Sequence, residues 1–144
     1  VVNKEGSFFG YPYKHANDVI DPEFGDMISS VDKEFVDPIA ELGAHVAPLG
    51  IAFYDGKEFP EKYHNSVFIA LHGSWNRTKK SGYKVILVKL DDNGNYLYQE
   101  DFITGWLSNE TAWGRPAAPF VMSDGSLLVS DDKHNVIYKV QYKG

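Results

Sequence analysis

The sequence predicts an all-β fold that forms part of a β-propeller, and three observations support this prediction. Short runs of apolar and β-branched residues alternate with turn residues from position 46 onward. Four of these runs occupy about 60 residues, which is the content of one propeller blade. A second unit then repeats the order of strand, Asp-Gly turn and apolar strand, and such repetition is typical of radial architectures.

The first unit contains four predicted strands. The second of them has a nearly continuous apolar run, Val67 to Ala70, which is typical of a strand buried on both faces. Turn residues, Asp55-Gly56 and Asp91 to Gly94, separate the strands. The four strands are predicted at 49–54, 66–72, 83–90 and 96–102.

The second unit contains three predicted strands, at 117–122, 126–130 and 136–142. Propellers commonly complete their last blade with a strand from the N-terminal segment, which leaves no open sheet edge. We therefore expect a natural C-terminus here, with the earlier part of the ring missing before residue 1. A self-contained sandwich of seven or eight strands is the alternative interpretation.

The chain is predicted to be a single partial domain, 1–144, in three stretches. Residues 1–44 are irregular, because glycine and proline interrupt every helical period, although 26–39 could hold a helical turn or two. They are expected to contain the end of a preceding blade. Residues 45–108 form the four-stranded blade, and residues 109–144 form the last blade with three strands.

Composition excludes several classes of function. The 144 residues have a net charge of −6, so a broad electrostatic contact with nucleic acid is not expected. The apolar runs are too short to span a bilayer. Because cysteine is absent, disulfides and thiolate metal sites are excluded.

Only two arginines, Arg77 and Arg115, occur beside twelve lysines, and both follow segments rich in glycine and tryptophan. A guanidinium binds carboxylates or phosphates through two parallel hydrogen bonds, which a lysine cannot reproduce. The pair therefore indicates an anionic ligand. The structural alternative is an arginine that stacks on Trp75 or Trp113, or that pairs with a nearby aspartate.

Other polar residues give weaker signals. His45 precedes a predicted strand and His72 ends one, so both are placed to face a central channel. No spacing typical of a zinc site is present. The pair Asp131-Asp132 has too few ligands for a calcium cage, and we interpret it as a solvated turn in which one aspartate caps local amides.

Several strings together resemble the C-terminal region of the glucose/sorbosone dehydrogenases, soluble sugar dehydrogenases that use pyrroloquinoline quinone (PQQ). Phe9 to Pro12 also resembles that family's Gly-Trp-Pro turn, with Tyr11 in place of tryptophan. The likeness covers the chain except the loop around 18–40. The strings, in order, are HVAPLG from His45, ALHGSWNR from Ala70, GYKV from Gly82, DFITGW from Asp101, GRP from Gly114 and DGSLLVSDD from Asp124.

The resemblance implies a six-bladed propeller in which PQQ lies across the channel, assisted by Ca²⁺. It implies oxidation of an aldose or sorbosone-type sugar, with a general base removing the proton of the C1 hydroxyl and hydride passing to the quinone. Because the quinone has three carboxylates, Arg77 and Arg115 would bind them, and His72, His45 and Trp75 would line the cofactor site. Backbone carbonyls of Gly10 and Pro12 would be candidate calcium ligands.

The family's catalytic histidine lies in an earlier blade, so none of the five histidines here matches it. We therefore expect this chain alone to be inactive, although the parent is an oxidoreductase with a sugar substrate and an electron acceptor. The resemblance also implies a periplasmic or extracellular location, and exposed blade edges make a homo-oligomer possible. Two alternatives stay open: a purely structural scaffold, and a non-catalytic propeller that binds a carbohydrate or an anion, with Trp75, Trp106 and Trp113 stacking on sugar rings.

Overall fold

The computed structural model describes residues 4–144, which form one unit up to Glu41 and a second from Leu42 to Gly144. Regular structure in the described residues is almost entirely β. The strands are β1 Lys14–His15, β2 Val19–Ile20, β3 Pro48–Tyr54, β4 Ser66–Leu71, β5 Lys84–Leu90, β6 Tyr96–Ile103, β7 Leu107–Ser108, β8 Thr111–Ala112, β9 Pro116–Val121, β10 Leu127–Asp131 and β11 Val136–Val140, and the two 3-10 helices are Gly25–Ser30 and Glu61–Tyr63.

The first unit has little regular structure. Strands β1 and β2 form a short antiparallel hairpin, and the rings of Phe8 and Phe35 lie 5.3 Å apart where their segments make a parallel bridge. The helical turn expected within 26–39 is present as the 3-10 helix Gly25–Ser30. Across the described part of the chain, no helix has the length and apolar character needed to cross a membrane.

The second unit contains a four-stranded antiparallel sheet in the order β3-β4-β5-β6. Every residue of β4 is buried, as its continuous apolar run predicts. The turn between β5 and β6 is stabilised by Asp91, whose Oδ1 accepts the backbone N–H groups of Asn93 and Asn95 at 2.9 and 2.7 Å. These local bonds hold consecutive strands side by side.

A three-stranded antiparallel sheet follows, in the order β11-β10-β9. Its first turn is held by Asp124, whose Oδ1 accepts the N–H of Ser126 at 3.0 Å, and Gly125 supplies the positive φ of 85°. Sequence and structure therefore agree on where this turn lies.

All seven strands predicted for the two sheets are present, each with bounds within two residues of the prediction. The hairpins β1/β2 and β7/β8 were not predicted. Their strands have two residues each, which is too short to produce an alternating pattern.

The two sheets share one core. Phe68 and Leu87 from the first sheet and Leu127 and Val129 from the second are completely buried in a single apolar cluster. The hydroxyl of Tyr54 also donates to the carbonyl O of Gly125 at 3.0 Å, which ties the end of β3 to the turn of the second sheet.

The first strands of the two sheets, β3 and β9, lie directly against each other. A Cβ at Gly50 would lie 2.4 Å from the Cα of Ala118 and 2.7 Å from the carbonyl O of Ala117. Only glycine permits this approach, since the opposing atoms are main chain and cannot rotate away. Adjacent propeller blades contact each other through such inner strands, so the arrangement favours the propeller interpretation over the sandwich.

Replacing Leu87 by alanine tests the shared core. Because the side chain is fully buried, Leu87→Ala should lower the free energy of unfolding by about 2–5 kcal/mol. Leu97→Ala is the matched control, since that side chain is 53% exposed and should change stability by less than about 0.5 kcal/mol. Urea unfolding followed by tryptophan fluorescence measures both, and equal losses would contradict the assigned core.

Replacing Gly50 by alanine tests the close approach of β3 and β9. The added methyl group should destabilise the fold by about 1–3 kcal/mol, because two strands must separate to admit it. Gly144→Ala makes the same chemical change at the chain end, where the nearest atom lies at 3.4 Å, and serves as the control. Thermal unfolding compares the two variants. An unchanged melting temperature for Gly50→Ala would show that the strands are farther apart than described.

Candidate functional site

The glycine- and tryptophan-rich loops lie at one end of the two sheets. Strands β4 and β10 finish at this end, and β3, β5, β9 and β11 begin there. We call it the loop end, and its connections are residues 44–47, 72–83, 104–115 and 132–135. Motifs that lie far apart in the sequence therefore meet at one surface.

The long loop 72–83 is held by main-chain hydrogen bonds rather than by regular structure. The N–H of Gly73 donates to the carbonyl O of Val46 at 2.9 Å, and the N–H of Ser74 donates to the carbonyl O of Ser81 at 2.9 Å. The Ser74 hydroxyl accepts the N–H of Ser81 at 3.1 Å. The loop thus has a closed base and a fixed direction of exit from β4.

Tyr83 fills the inside of this loop and is 4% exposed. Its hydroxyl donates to the carbonyl O of Ser74. Gly73 has a φ of 101°, and a Cβ there would lie 2.5 Å from the tyrosine ring. The glycine in the His-Gly-Ser-Trp string is therefore required by both the backbone conformation and the ring beside it.

Arg115 reaches from the second sheet to the loop that follows β4. Its Nε donates to the carbonyl O of His72 at 3.0 Å, and its Nη2 donates to the carbonyl O of Gly73. The guanidinium carbon lies 5.4 Å from the centroid of the Tyr83 ring, within the range of a cation–π contact. These contacts hold the side chain in place. Among residues 4–144, Nη1 has no hydrogen-bond partner, so the guanidinium retains a donor for a ligand.

The turn that presents Arg115 is built on Asp131. This carboxylate is 2% exposed, and its Oδ1 accepts the N–H groups of Arg115 and His134 at 2.9 and 2.8 Å. A Cβ at Gly114 would lie 2.1 Å from Asp131 Oδ2 and 2.4 Å from Trp106 Cδ1. The predicted capping aspartate is thus confirmed, but it is buried, whereas a solvated turn was expected.

His72 and Asp132 form a pair across the two sheets. The Nε2 of His72 lies 2.8 Å from Oδ1 of Asp132, with the histidine side chain 15% exposed and the aspartate side chain 60% exposed. The hydrogen bond from His72 lowers the pKa of the Asp132 carboxyl below its ordinary value, and the charges of His72 and Arg115 act in the same direction. The sequence indicated only a solvated turn at Asp132 and did not predict its contact with His72, because spacing contains no signal for a contact between residues 60 positions apart.

A cleft of about 680 Å³ opens at the loop end. Three cationic side chains line it, those of Lys80, Arg115 and Lys133, against two anionic ones, Glu110 and Asp132. The lining therefore has a formal charge of +1 in a chain whose net charge is −6. This local excess of positive charge favours an anionic ligand.

The side wall of the cleft is the hairpin β7/β8. The backbone N–H of Lys80 donates to Oε2 of Glu110, and its Nζ donates to the carbonyl O of Glu110, both at 2.6 Å. The Nζ of Lys133 donates to the carbonyl O of Ala112. These bonds fasten the hairpin to the loop 72–83 on one side and to the turn after β10 on the other.

The structure places the five predicted cofactor residues in two groups. His72, Trp75 and Arg115 line the cleft, and Trp75 is 87% exposed. Arg77 and His45 are exposed at the loop end but are not among the residues lining this cleft. Arg77 makes two long contacts, from Nη1 to the carbonyl O of Ala44 at 3.5 Å and to the Ser81 hydroxyl at 3.4 Å.

The predicted calcium ligands, Gly10 and Pro12, belong to the first unit. The carbonyl O of Gly10 already accepts the N–H groups of Tyr13 and Lys14, at 2.8 and 3.0 Å. Within residues 4–144, no group of three or more histidine, aspartate or glutamate side chains is placed to hold a metal ion. The calcium site at Gly10 and Pro12 stays a prediction.

Comparison with known proteins places these features in a wider context. A protein of Borreliella burgdorferi with no assigned function is 39% identical over 148 residues, an alignment that covers 99% of this chain and 38% of the relative. The PQQ-dependent pyranose dehydrogenase of Coprinopsis cinerea is 42% identical over 53 residues, which cover 37% of this chain and 6% of the enzyme. The chain thus spans about two fifths of the length of the first relative and a small part of the second.

Solved structures of PQQ-dependent and AA12 proteins are also similar to this chain. The PQQ domain of the Coprinopsis cinerea pyranose dehydrogenase, in its holo form, superposes with a TM-score of 0.61 at 27% identity, over 75% of this chain and 30% of that one. A Trichoderma reesei enzyme of carbohydrate-active family AA12 superposes with a TM-score of 0.68 at 23% identity, over 94% and 39% of the two chains. At that identity the second likeness shows the fold alone.

The family model of the TrAA12-like proteins matches residues 19–143. The prediction of a domain like those of PQQ-dependent dehydrogenases is confirmed at this level, whereas the narrower assignment to glucose/sorbosone dehydrogenases is not shown. The number of blades in the ring stays a prediction. With the family match extending over most of its length, this chain belongs to the TrAA12-like family.

Proposed function

We propose that this chain provides one wall of the PQQ site in a sugar-oxidising enzyme, with a pyranose or related aldose as the substrate. The observation that supports this most directly is Arg115. Its guanidinium is held by main-chain carbonyls at Nε and Nη2, lies over the Tyr83 ring and keeps Nη1 available beside a cationic cleft.

The residues of the cleft fit a quinone with three carboxylates. A volume of about 680 Å³ is typical of small-molecule sites. Lys80, Arg115 and Lys133 provide positive charge, and the exposed indole of Trp75 provides a flat apolar surface. PQQ, when bound, supplies the acceptor for the two electrons of the sugar.

The chain's own residues then have separate tasks. Arg115 would donate its Nη1–H to a carboxylate. Because its side chain is already held in place, it would not have to be ordered when the ligand binds. Trp75 would stack on the flat ring system, and His72 would form a directional hydrogen bond. Arg77 and His45 remain candidates for contacts beyond this cleft.

Ca²⁺ belongs to the proposal as a co-ligand of the complete enzyme. A structure of the Trichoderma reesei AA12 protein is described as a calcium structure. Since the described side chains of this chain form no metal cluster, we assign no step to the ion here.

No residue of this chain is assigned as the base that accepts the sugar's hydroxyl proton. The activity of the whole protein, its electron acceptor, any homo-oligomer and a periplasmic or extracellular location form part of the same proposal. These proposals rest on the family membership. They concern the whole protein, because this chain spans only 38% of the length of its relative.

A non-catalytic carbohydrate-binding role is the second candidate. Trp75 is 87% exposed beside the cleft, and an exposed indole is a common surface for stacking a sugar ring. Binding of D-glucose without any affinity for PQQ would favour this role over the first.

Substituting Arg115 tests the anion site. Arg115→Ala should weaken PQQ binding to the chain by about 10- to 100-fold, and Arg115→Lys should weaken it nearly as much, because a lysine cannot donate to both carbonyls and the ligand. Isothermal titration calorimetry measures the affinity, and Lys143→Ala, which removes one exposed charge at the chain end, is the control. Absence of PQQ binding by the unaltered chain, or equal affinity for Arg115→Ala, would overturn the assignment.

Substituting Trp75 tests the stacking surface. Trp75→Ala should weaken PQQ binding by about 2- to 10-fold, whereas Trp75→Phe should retain most of the affinity, since an aromatic face remains. Because Trp75 is so exposed, neither change should alter the urea midpoint. Equal losses for the two variants would show that stacking is not the contact.

A further inference from the structure

His72 and Asp132 come from different sheets, and each is held by its own backbone. His72 follows β4, and its N–H donates to the carbonyl O of Ala47 at 2.9 Å. Asp132 follows β10 directly after Asp131, whose buried carboxylate anchors the turn through the N–H groups of Arg115 and His134. The 2.8 Å contact between the two side chains therefore joins two loops whose backbones are held by hydrogen bonds.

The location of the proton in this contact follows from the charge of the aspartate. A carboxyl with a pKa below its ordinary value is ionised at neutral pH, and an ionised carboxylate only accepts hydrogen bonds. The shared proton must then belong to Nε2 of His72. In the neutral ring, the other nitrogen, Nδ1, consequently has a free lone pair.

The lone pair of Nδ1 is available to a ligand. Within residues 4–144, Nδ1 has no hydrogen-bond partner, and His72 is among the residues that line the cleft, together with Trp75 and Arg115. Rotation of the ring by a half-turn about the Cβ–Cγ bond would exchange each nitrogen with a ring carbon, and it would break the bond between Nε2 and Asp132. The aspartate thus determines which ring nitrogen has the lone pair.

We propose that Asp132 is a positioning residue: in the neutral His72 imidazole it keeps the proton on Nε2, so that Nδ1 accepts a hydrogen bond from the ligand in the cleft. This inference rests on the proposed PQQ site for its ligand. The inference requires the ligand to have a hydrogen-bond donor, a hydroxyl or an N–H, in addition to the carboxylate that Arg115 would bind. The cleft would then select ligands that have both groups.

The charge of Asp132 provides a way to separate positioning from electrostatics. A negative side chain beside an anion site repels the ligand, so removal of the charge alone should strengthen PQQ binding. Asp132→Asn removes the charge and keeps an oxygen that accepts from Nε2–H. Asp132→Ala removes both the charge and the acceptor, which leaves the ring free to change its tautomer.

The first measurement is the ¹⁵N spectrum of the imidazoles in the chain at pH 8, which reports directly which ring nitrogen is protonated. We expect the Nε2–H form of His72 in the unaltered chain and in Asp132→Asn, and a mixture of both forms in Asp132→Ala. This readout needs no ligand and no activity, so it decides the positioning role even where PQQ does not bind.

The second measurement is the affinity for PQQ by calorimetry. Asp132→Asn should bind more tightly than Asp132→Ala by about fivefold, the equivalent of one neutral hydrogen bond. In a His72→Phe background the two variants should bind equally, because the positioned group is gone. Equal affinities for the Asn and Ala variants in the original background, or an unchanged tautomer in Asp132→Ala, would overturn the inference. Absence of PQQ binding by the unaltered chain would overturn the proposed function instead.

Discussion

The loop end depends on the contact of Arg115 with the loop that follows β4. The arginine belongs to the second sheet, and the two carbonyl groups that it binds belong to the first. The Tyr83 ring lies beneath the guanidinium, and Asp131 fixes the backbone of Arg115 by accepting its N–H. Because a guanidinium has several donors in one plane, it can make these bonds and still offer a donor to a ligand. Structural support and the ligand contact that we propose therefore belong to the same side chain, which gives a physical reason for arginine rather than lysine at this position.

The glycines of the motifs serve the same contact. Gly73 leaves room for the Tyr83 ring, and Gly114 leaves room for the Asp131 carboxylate and the Trp106 ring. Each added Cβ would collide with a group that orients Arg115. The Gly-Arg-Pro and His-Gly-Ser-Trp strings are consequently packing requirements of one assembly, although they are separated in sequence. The cleft that results has an excess of positive charge, whereas the chain as a whole is acidic. Attraction of anions is therefore confined to the cleft and does not extend over the whole surface.

The predictions from sequence succeeded where local chemistry decides the structure. Alternation, apolar runs and Asp-Gly turns located seven strands, because side-chain period and turn conformation are properties of a few neighbouring residues. Arg115, His72 and Trp75, which the resemblance implied as cofactor-site residues, all line the cleft, and their role there stays a prediction. The two arginines were expected to act together, yet Arg77 is not among the residues lining the cleft. Equivalent positions in two loops do not determine the direction in which each side chain points.

The sequence by itself determined the strands, the turns, the acidic charge and the residue types that an anion site needs. Only the tertiary structure decided that Asp131 is buried, that Asp132 meets His72, and that Lys80 and Lys133 share a cleft with Arg115. These features depend on which residues of the two sheets lie close together, and that depends on how β3 and β9 approach each other at Gly50. Local patterns specify each sheet, whereas the packing between sheets decides which side chains meet and therefore what the site is able to bind.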